Sequence, residues 1–176
     1  MRIGVVSDTH NNLRNVTRIV ELLNEARVDR VVHTGDITQP KTLEVLARLD
    51  APLHGVYGNN DVGEREGLER AASHYGISLV DPPLHLHWAE RRLSVVHDPR
   101  DLEPMLAPQP ASPGGGTGRE NEPQRLLLHG HDHLFRFEQR AATTIFNPGE
   151  CAGHMKGRNA IGVVDLRDLA CERLFF

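Results

Sequence analysis

Met1-Arg2-Ile3-Gly4-Val5-Val6-Ser7-Asp8-Thr9-His10 opens the chain, and its pattern recurs downstream. Residues 3–7 are a short apolar run rich in β-branched side chains, followed at once by a carboxylate and an imidazole. Such a run reads as a buried strand. Asn11 or Asn12 can cap a helix, and Leu13, Val16, Ile19, Val20 and Leu23 come next at helical spacing. The alternation continues with a strand at 30–33, a helix at 41–49 with Leu43, Leu46 and Ala47 inward, a strand at 53–57, and a weaker helix at 64–75. Strand–helix–strand repetition of this kind predicts parallel strands joined by crossover helices.

The second half changes character. Residues 84–88 and 91–96 flank Ala89-Glu90 and predict a hairpin. Further strands are predicted at 125–128, 134–140, 143–146, 160–164 and 172–175, and this half reads as mostly antiparallel. Two facing sheets with helices outside would pack these parts as one domain over residues 1–176. Residues 107–123 are dense in Pro and Gly and read as a surface loop within that domain.

Bulk properties narrow the classes. A chain of 176 residues with 39% hydrophobic and 25% charged residues is ordinary for a soluble globular domain with a core. A net charge of −4 gives no basic surface for nonspecific nucleic-acid binding. It still permits a small phosphorylated substrate, because bound metal ions supply a local positive field. The two cysteines, Cys151 and Cys171, form no CxxC pair and read as reduced thiols of a cytoplasmic protein. The N-terminal run is too short for a signal peptide, and no apolar stretch reaches the roughly 20 residues that span a bilayer.

The chemistry lies in the residues just past the strand ends. Asp8 and His10 come after the first strand. Asp36 comes after the second through Gly35, and Asn59 after the third through Gly58. His97 directly succeeds 93–96, and His131 and His133 succeed 126–128. Taken singly, each fragment reads as a polar turn. Taken together, each after a strand, they can converge where parallel strands end. Carboxylate and imidazole suit Mn, Fe or Zn, and a carboxylate can bridge two cations. Two metals roughly 3.5–4 Å apart can clamp a phosphoryl oxygen and hold a hydroxide nucleophile. The other histidines read as structural or surface residues: His33 as buried in its strand, His54 and His74 as packing or surface groups, His85 and His87 as sharing one solvated strand face. His129 precedes the His131–His133 pair and reads as lying behind it.

This ordered set resembles the calcineurin-like metallophosphoesterase superfamily, and within it the small bacterial and archaeal phosphodiesterases of the YfcE type. The matching motifs are Asp8-Thr9-His10, Gly35-Asp36, Gly58-Asn59-Asn60-Asp61, the lone His97, and Gly130-His131-Asp132-His133, followed by the turn Asn147-Pro148-Gly149. The resemblance implies a mixed α/β fold, a four-layer αββα sandwich, and two divalent metal ions. Mn is the first choice, with Fe, Zn, Ni or Mg as alternatives. It implies that Asp8, His10 and His133 bind one metal, that Asp36 bridges, and that Asn59, His97 and His131 bind the other.

Three positions depart from the family pattern. Asn60 stands where many members have His and the YfcE type often has Cys. As a catalytic group it can donate a hydrogen bond to phosphate but cannot serve as a general acid near neutral pH. Asp98 stands where Gly is common and Glu150 where Ser is usual; facing the cleft, both would disfavour highly anionic monoesters. Asp61 is expected to orient its loop. His154, after the Asn147-Pro148-Gly149 turn, is a candidate substrate contact alongside Asn60.

The expected function is hydrolysis of small-molecule phosphodiesters by a hydroxide bridging two metals. The alternatives are a phosphomonoesterase or nucleotide phosphatase, and a non-catalytic protein-binding scaffold of the same fold, as in a retromer subunit that has lost ligands. The full ligand set favours the enzyme. Net acidity and a single tryptophan, Trp88, disfavour a nuclease, and the sequence is compatible with a homo-oligomer.

Overall fold

The computed structural model describes residues 1–106 and 124–176; the Pro- and Gly-rich stretch 107–123 lies outside the described residues. Strand β1 (Arg2–Val6) leads to helix α1 (Leu13–Glu25), then β2 (Arg30–His33), α2 (Pro40–Leu46), β3 (Leu53–Val56), a 3-10 turn (Asn59–Glu64), α3 (Arg65–Tyr75) and β4 (Ser78–Val80). The remaining elements are β5 (Leu84–Trp88), β6 (Arg91–Val95), a 3-10 turn (Pro99–Leu102), α4 (Glu103–Leu106), β7 (Arg125–Leu128), β8 (Arg136–Arg140), β9 (Thr143–Asn147), β10 (Ala160–Asp165) and β11 (Ala170–Phe175).

The first sheet has the order β11-β10-β1-β2-β3-β4, and the second β5-β6-β7-β9-β8. In the first, β1 to β4 run parallel, and β10 and β11 are antiparallel additions. The second half is mostly antiparallel, as expected, in the pairs β5–β6, β8–β9, β1–β10 and β10–β11, but the core of the second sheet is an exception. Its inner strands β6, β7 and β9 are parallel, and only the edge strands β5 and β8 pair antiparallel. Parallel pairing here aligns the carboxyl ends of strands from both sheets along one rim.

Burial explains the layering. Ile3 and Val5 of β1 face the second sheet, packing in one cluster with Val32, Val56, Leu93, Val95, Leu126, Leu128 and Phe146. Val6 and Val31, on the opposite face, pack against Val16, Ile19, Val20 and Leu23 of α1 and Leu43 and Leu46 of α2. Strands buried on both faces need continuous apolar runs, as residues 3–6 provide. Each such fully buried side chain contributes roughly 1.5–3 kcal/mol. On the outer side of the second sheet, Leu127 and Ile145 pack under Leu102, Met105 and Leu106. The result is helices, sheet, sheet, helix: the expected αββα sandwich, with a thin outer layer among the described residues.

Local boundaries are set by caps. Asn12 caps α1 by accepting from the Asn15 N–H, and Gly76 ends α3 in the left-handed region at φ 67. The predicted helix 41–49 is shorter, Pro40–Leu46, and Ala47 is exposed while Val45 takes the inward position. A proline at the helix start supplies a preset φ without losing a needed N–H. Strand β4 lies outside the predicted strands; its Leu79 and Val80 are only half-buried at the sheet edge, so its apolar signal is weak. Among the described residues no helix is long and apolar enough to cross a membrane.

Candidate metal centre

The loops after β1, β2, β3, β6 and β7 meet at one rim, held by backbone bonds between the loops of neighbouring strands. The Asp8 N–H donates to the Gly35 carbonyl (3.2 Å), His10 N–H to Asp36 (3.0 Å), and Gly130 N–H to His97 (3.0 Å). Five of the predicted ligands take left-handed backbone: Asp8 (φ 51), His10 (φ 42), Asp36 (φ 58), His131 (φ 74) and His133 (φ 57). For non-glycine residues such conformations cost of order 1–3 kcal/mol each and gather where function demands a particular side-chain direction. Two glycines permit the close approach. A methyl on Gly58 would overlap Asp36, and one on Gly130 would overlap Ser7 Oγ and lie 2.7 Å from an Asp8 oxygen.

The side chains form two groups around Asp36. On one side are Asp8, His10 and His133: His133 Nε2 lies 3.8 Å from Asp8 Oδ1, and His10 Nε2 lies 3.4 Å from Asp36 Oδ2. On the other side, Asn59 Oδ1 is 2.9 Å from both His97 Nε2 and His131 Nδ1, which are 3.3 Å from each other. Asp36 Oδ1 is 3.4 Å from His97 Nε2, so the two oxygens of one carboxylate face different groups. Asp8 and Asp36 are buried, at 0% and 2% exposure. All seven predicted ligands are therefore brought together.

The donor set fits divalent cations. His10 Nε2 is buried without a hydrogen-bond partner among the described residues. His97 Nδ1 lies 2.9 Å from the Thr34 carbonyl, which fixes that nitrogen as the donor. Its Nε2 lone pair then faces the carbonyl oxygen of Asn59, and two acceptors at that distance call for positive charge between them. The electrostatics favour the ligand forms of Asp36 and His10, whereas at Asp8 and His97 a proton competes with a cation. Burial pushes the Asp8 carboxyl up, against the Ser7 hydroxyl that bonds it. Burial acts upward on Asp36 too, but the neighbouring His97 and the two hydrogen bonds from Asn60 outweigh it and hold that carboxyl well below the usual range. Burial would lower His97, yet Asp36 beside it raises the imidazole above its ordinary value. Burial lowers His10, which keeps it a neutral lone-pair donor.

A supporting layer lies behind these groups. Asp61 is fully buried and accepts from the N–H groups of Gly58 (2.7 Å), Asp36 (3.1 Å) and Thr38 (2.6 Å), orienting its own loop as expected and the Asp36 turn in addition. His33 is buried, with Nδ1 accepting from Gly35 N–H (3.1 Å) and Nε2 3.2 Å from Thr9 Oγ1. Asn147 donates to Asp132 (2.9 Å) and accepts from Gly149 N–H (2.9 Å), tying the turn after β9 to the His131–His133 loop. Glu150 does not face the cleft. At 1% exposure it accepts from His133 Nδ1–H at 2.9 Å and from Met155 N–H at 2.9 Å. Asp98 does line the cleft, but Arg100 pairs with it at 2.5 Å and offsets its charge. The idea that these two carboxylates face a substrate together is thereby corrected.

The remaining predicted residues have defined places. Asn60 donates its amide N–H to Asp36 Oδ2 (2.7 Å) and its backbone N–H to Oδ1 (2.9 Å), at the exposed mouth of the site. His154 is exposed and stacks on His133, with centroids 5.2 Å apart and planes at 20°. His129 is buried, and His54 packs edge-on to Trp88. His85 and His87 are exposed on β5. Sequence reasoning missed Ser7 and Thr34, which orient Asp8 through a hydroxyl chain, and the Tyr57, Arg65 and Asp81 wall of the adjoining cleft. Hydroxyls next to a motif residue carry no periodic signal, and a cleft wall needs the fold to assemble it.

Similar proteins share this fold. Phosphodiesterase MJ0936 of Methanocaldococcus jannaschii is 28% identical over 166 residues, covering 94% of this chain and 93% of its own. The solved structure of a novel archaeal phosphodiesterase superposes with a TM-score of 0.83 at 26% identity, covering 100% of both chains. YfcE, a phosphoesterase from E. coli, shares the fold at a TM-score of 0.66 and 22% identity, over 99% of this chain and 98% of its own. A family model described as the calcineurin-like phosphoesterase superfamily domain matches residues 1–169, and the chain belongs to that superfamily.

Proposed function

We propose that this chain is a two-metal phosphodiesterase acting on small molecules. Asp8, His10 and His133 hold one cation, Asn59, His97 and His131 hold the other, and Asp36 is shared. The observation that carries this reading is the placement of Asp36, whose two oxygens face the two groups at 3.4 Å each. Bound there, the cations supply Lewis acidity toward a phosphoryl oxygen and a hydroxide at neutral pH. The mixed donor set of carboxylate, imidazole and amide oxygen without thiolate suits a divalent ion, Mn as first choice with Fe, Zn, Ni or Mg as alternatives.

The chain's own residues do the rest. Asn60 gives one amide hydrogen to Asp36 at the mouth and has the second to donate to a phosphoryl oxygen as charge develops. It offers no titratable proton, which favours diesters with good leaving groups. His154 lines the opposite rim over His133 and contacts the substrate. Cys151 and Cys171 are free thiols, which supports a cytoplasmic location. The experiment that tests this reading is Asp36→Asn. Loss of both diester turnover and about half or more of the bound metal is expected; normal turnover with full metal content overturns the assignment.

A further inference from the structure

Beside Asn59, His97 and His131 opens a cleft of about 630 Å³, the size of a site for a whole small ligand rather than for a phosphoryl group alone. One wall carries Tyr57, Arg65 and Asp81, and the other Asp98, Arg100 and Asp101. Both guanidinium groups are already engaged. Arg65 lies over the Tyr57 ring at 3.6 Å and pairs with Asp81 at 2.5 Å and Glu69 at 2.6 Å. Arg100 uses Nε and Nη2 on Asp98. Neither presents the open fork with which arginine recognises a phosphate.

The charge count of the walls points the same way, once the cation held by Asn59, His97 and His131 is assigned to the phosphoryl group and the walls are left to face the ester arm. The lining holds four carboxylates (Asp61, Asp81, Asp98, Asp101) against the two guanidinium groups, a balance of −2. His97 and His131 also line it and are committed to the metal centre. Asp61 is spent on backbone N–H groups, but its charge still contributes to the field. Apolar surface is present as well: Val62, 76% exposed, and Pro82 line the same space. A phosphomonoester or pyrophosphate would bring extra negative charge beside these walls, and among the described residues no free cation on them receives it. A diester carries its single negative charge to the metals and sends an organic arm outward.

We infer that this cleft binds one ester arm of the substrate, and that it selects phosphodiesters with an uncharged or cationic arm over those with an anionic one. This rests on the diesterase reading above and names the substrate class of that site. Anionic arms lose twice, through repulsion by the surplus carboxylates and through the lack of a hydrogen-bonding cation among the described lining residues.

The test uses Mn²⁺-loaded protein turning over bis(4-nitrophenyl) phosphate. Three symmetric inhibitors are compared: diethyl phosphate, bis(choline) phosphate and bis(carboxymethyl) phosphate. Symmetry makes the result independent of which arm enters the cleft. The carboxymethyl compound is expected to bind at least about tenfold more weakly than the other two. Asp101→Lys should cut that ratio by about tenfold, and thermal melting of the variant checks that it folds. Equal inhibition by all three, or a ratio that Asp101→Lys leaves unmoved, overturns the cleft assignment while leaving the diesterase reading intact. No turnover of bis(4-nitrophenyl) phosphate overturns the diesterase reading itself, and this inference falls with it.

Discussion

Glu150 offers the sharpest test of how the fold holds His133. Its Oε2 accepts from His133 Nδ1–H at 2.9 Å, and its Oε1 is pinned by Met155 N–H at 2.9 Å. The carboxylate is buried, while the imidazole is 19% exposed. The Nδ1–H bond leaves Nε2 as the lone-pair nitrogen and aims it toward Asp8. Glu150→Ala deletes both acceptors. Partners of this kind behind a metal-binding histidine typically contribute 10–100-fold in metal affinity, about 1.4–2.7 kcal/mol. Losing two charge-assisted bonds, partly replaced by water at the exposed ring, also lowers stability by about 2 kcal/mol. Glu150→Gln should fall between, because its single amide oxygen can serve only one of the two N–H groups. Titration calorimetry with Mn²⁺ reads affinity and stoichiometry, and urea unfolding reads stability. If Glu150→Ala loses stability yet binds Mn²⁺ within threefold of the parent, Glu150 only braces the turn and the positioning argument is wrong.

Two further expectations concern the frame. Asp61→Ala should cost about 3 kcal/mol in urea unfolding, since it strands the buried N–H groups of Gly58, Asp36 and Thr38; a loss below about 1 kcal/mol would mean the turn has other support. Burial pushes the His33 imidazole down to about 3 from 6.5. The folded state thus prefers neutral His33, so its stability contribution is complete above about pH 6.5 and is lost as pH falls toward 3. Within that window the parent should lose up to about 1.4 kcal/mol per pH unit more than His33→Gln, and parallel profiles for the two would show that His33 is not held neutral.

Much of this is legible in the sequence because β1 and β2 are buried on both faces. Their apolar runs are unbroken, and the change to Asp, Gly and His marks where each strand ends. The parallel pairing of β6, β7 and β9 is not legible. A residue's neighbours along the chain record its burial, not which distant strand lies beside it, and the hairpin β5–β6 suggests more of the same. Glu150 misleads for a related reason. A carboxylate beside a motif looks like a cleft residue until the turn at Gly149 (φ 103) directs it inward, beneath His133. Ala47 falls outside the core because its helix ends sooner than the apolar spacing implies.

The site is costly to hold, and the costs explain its supporting residues. Asp8, His10, Asp36, His131 and His133 all sit in left-handed backbone, an aggregate strain that local sequence would relieve if it were free to. Each strained loop is fastened from behind. Asp61 and His33 tie down the Asp36 turn, and Asn147 holds Asp132 between His131 and His133. The backbone bonds from Asp8 to Gly35 and from Gly130 to His97 lock neighbouring loops within each sheet, and the His131 N–H on Asp8 and His97 Nδ1 on the Thr34 carbonyl lock the two sheets' loops to each other. Parallel strands in both sheets make this economical, because they deliver every loop to the same rim without added chain. The direction in which Asp36 offers its two oxygens is therefore a property of the whole sandwich, and residues that never meet a substrate help to set it.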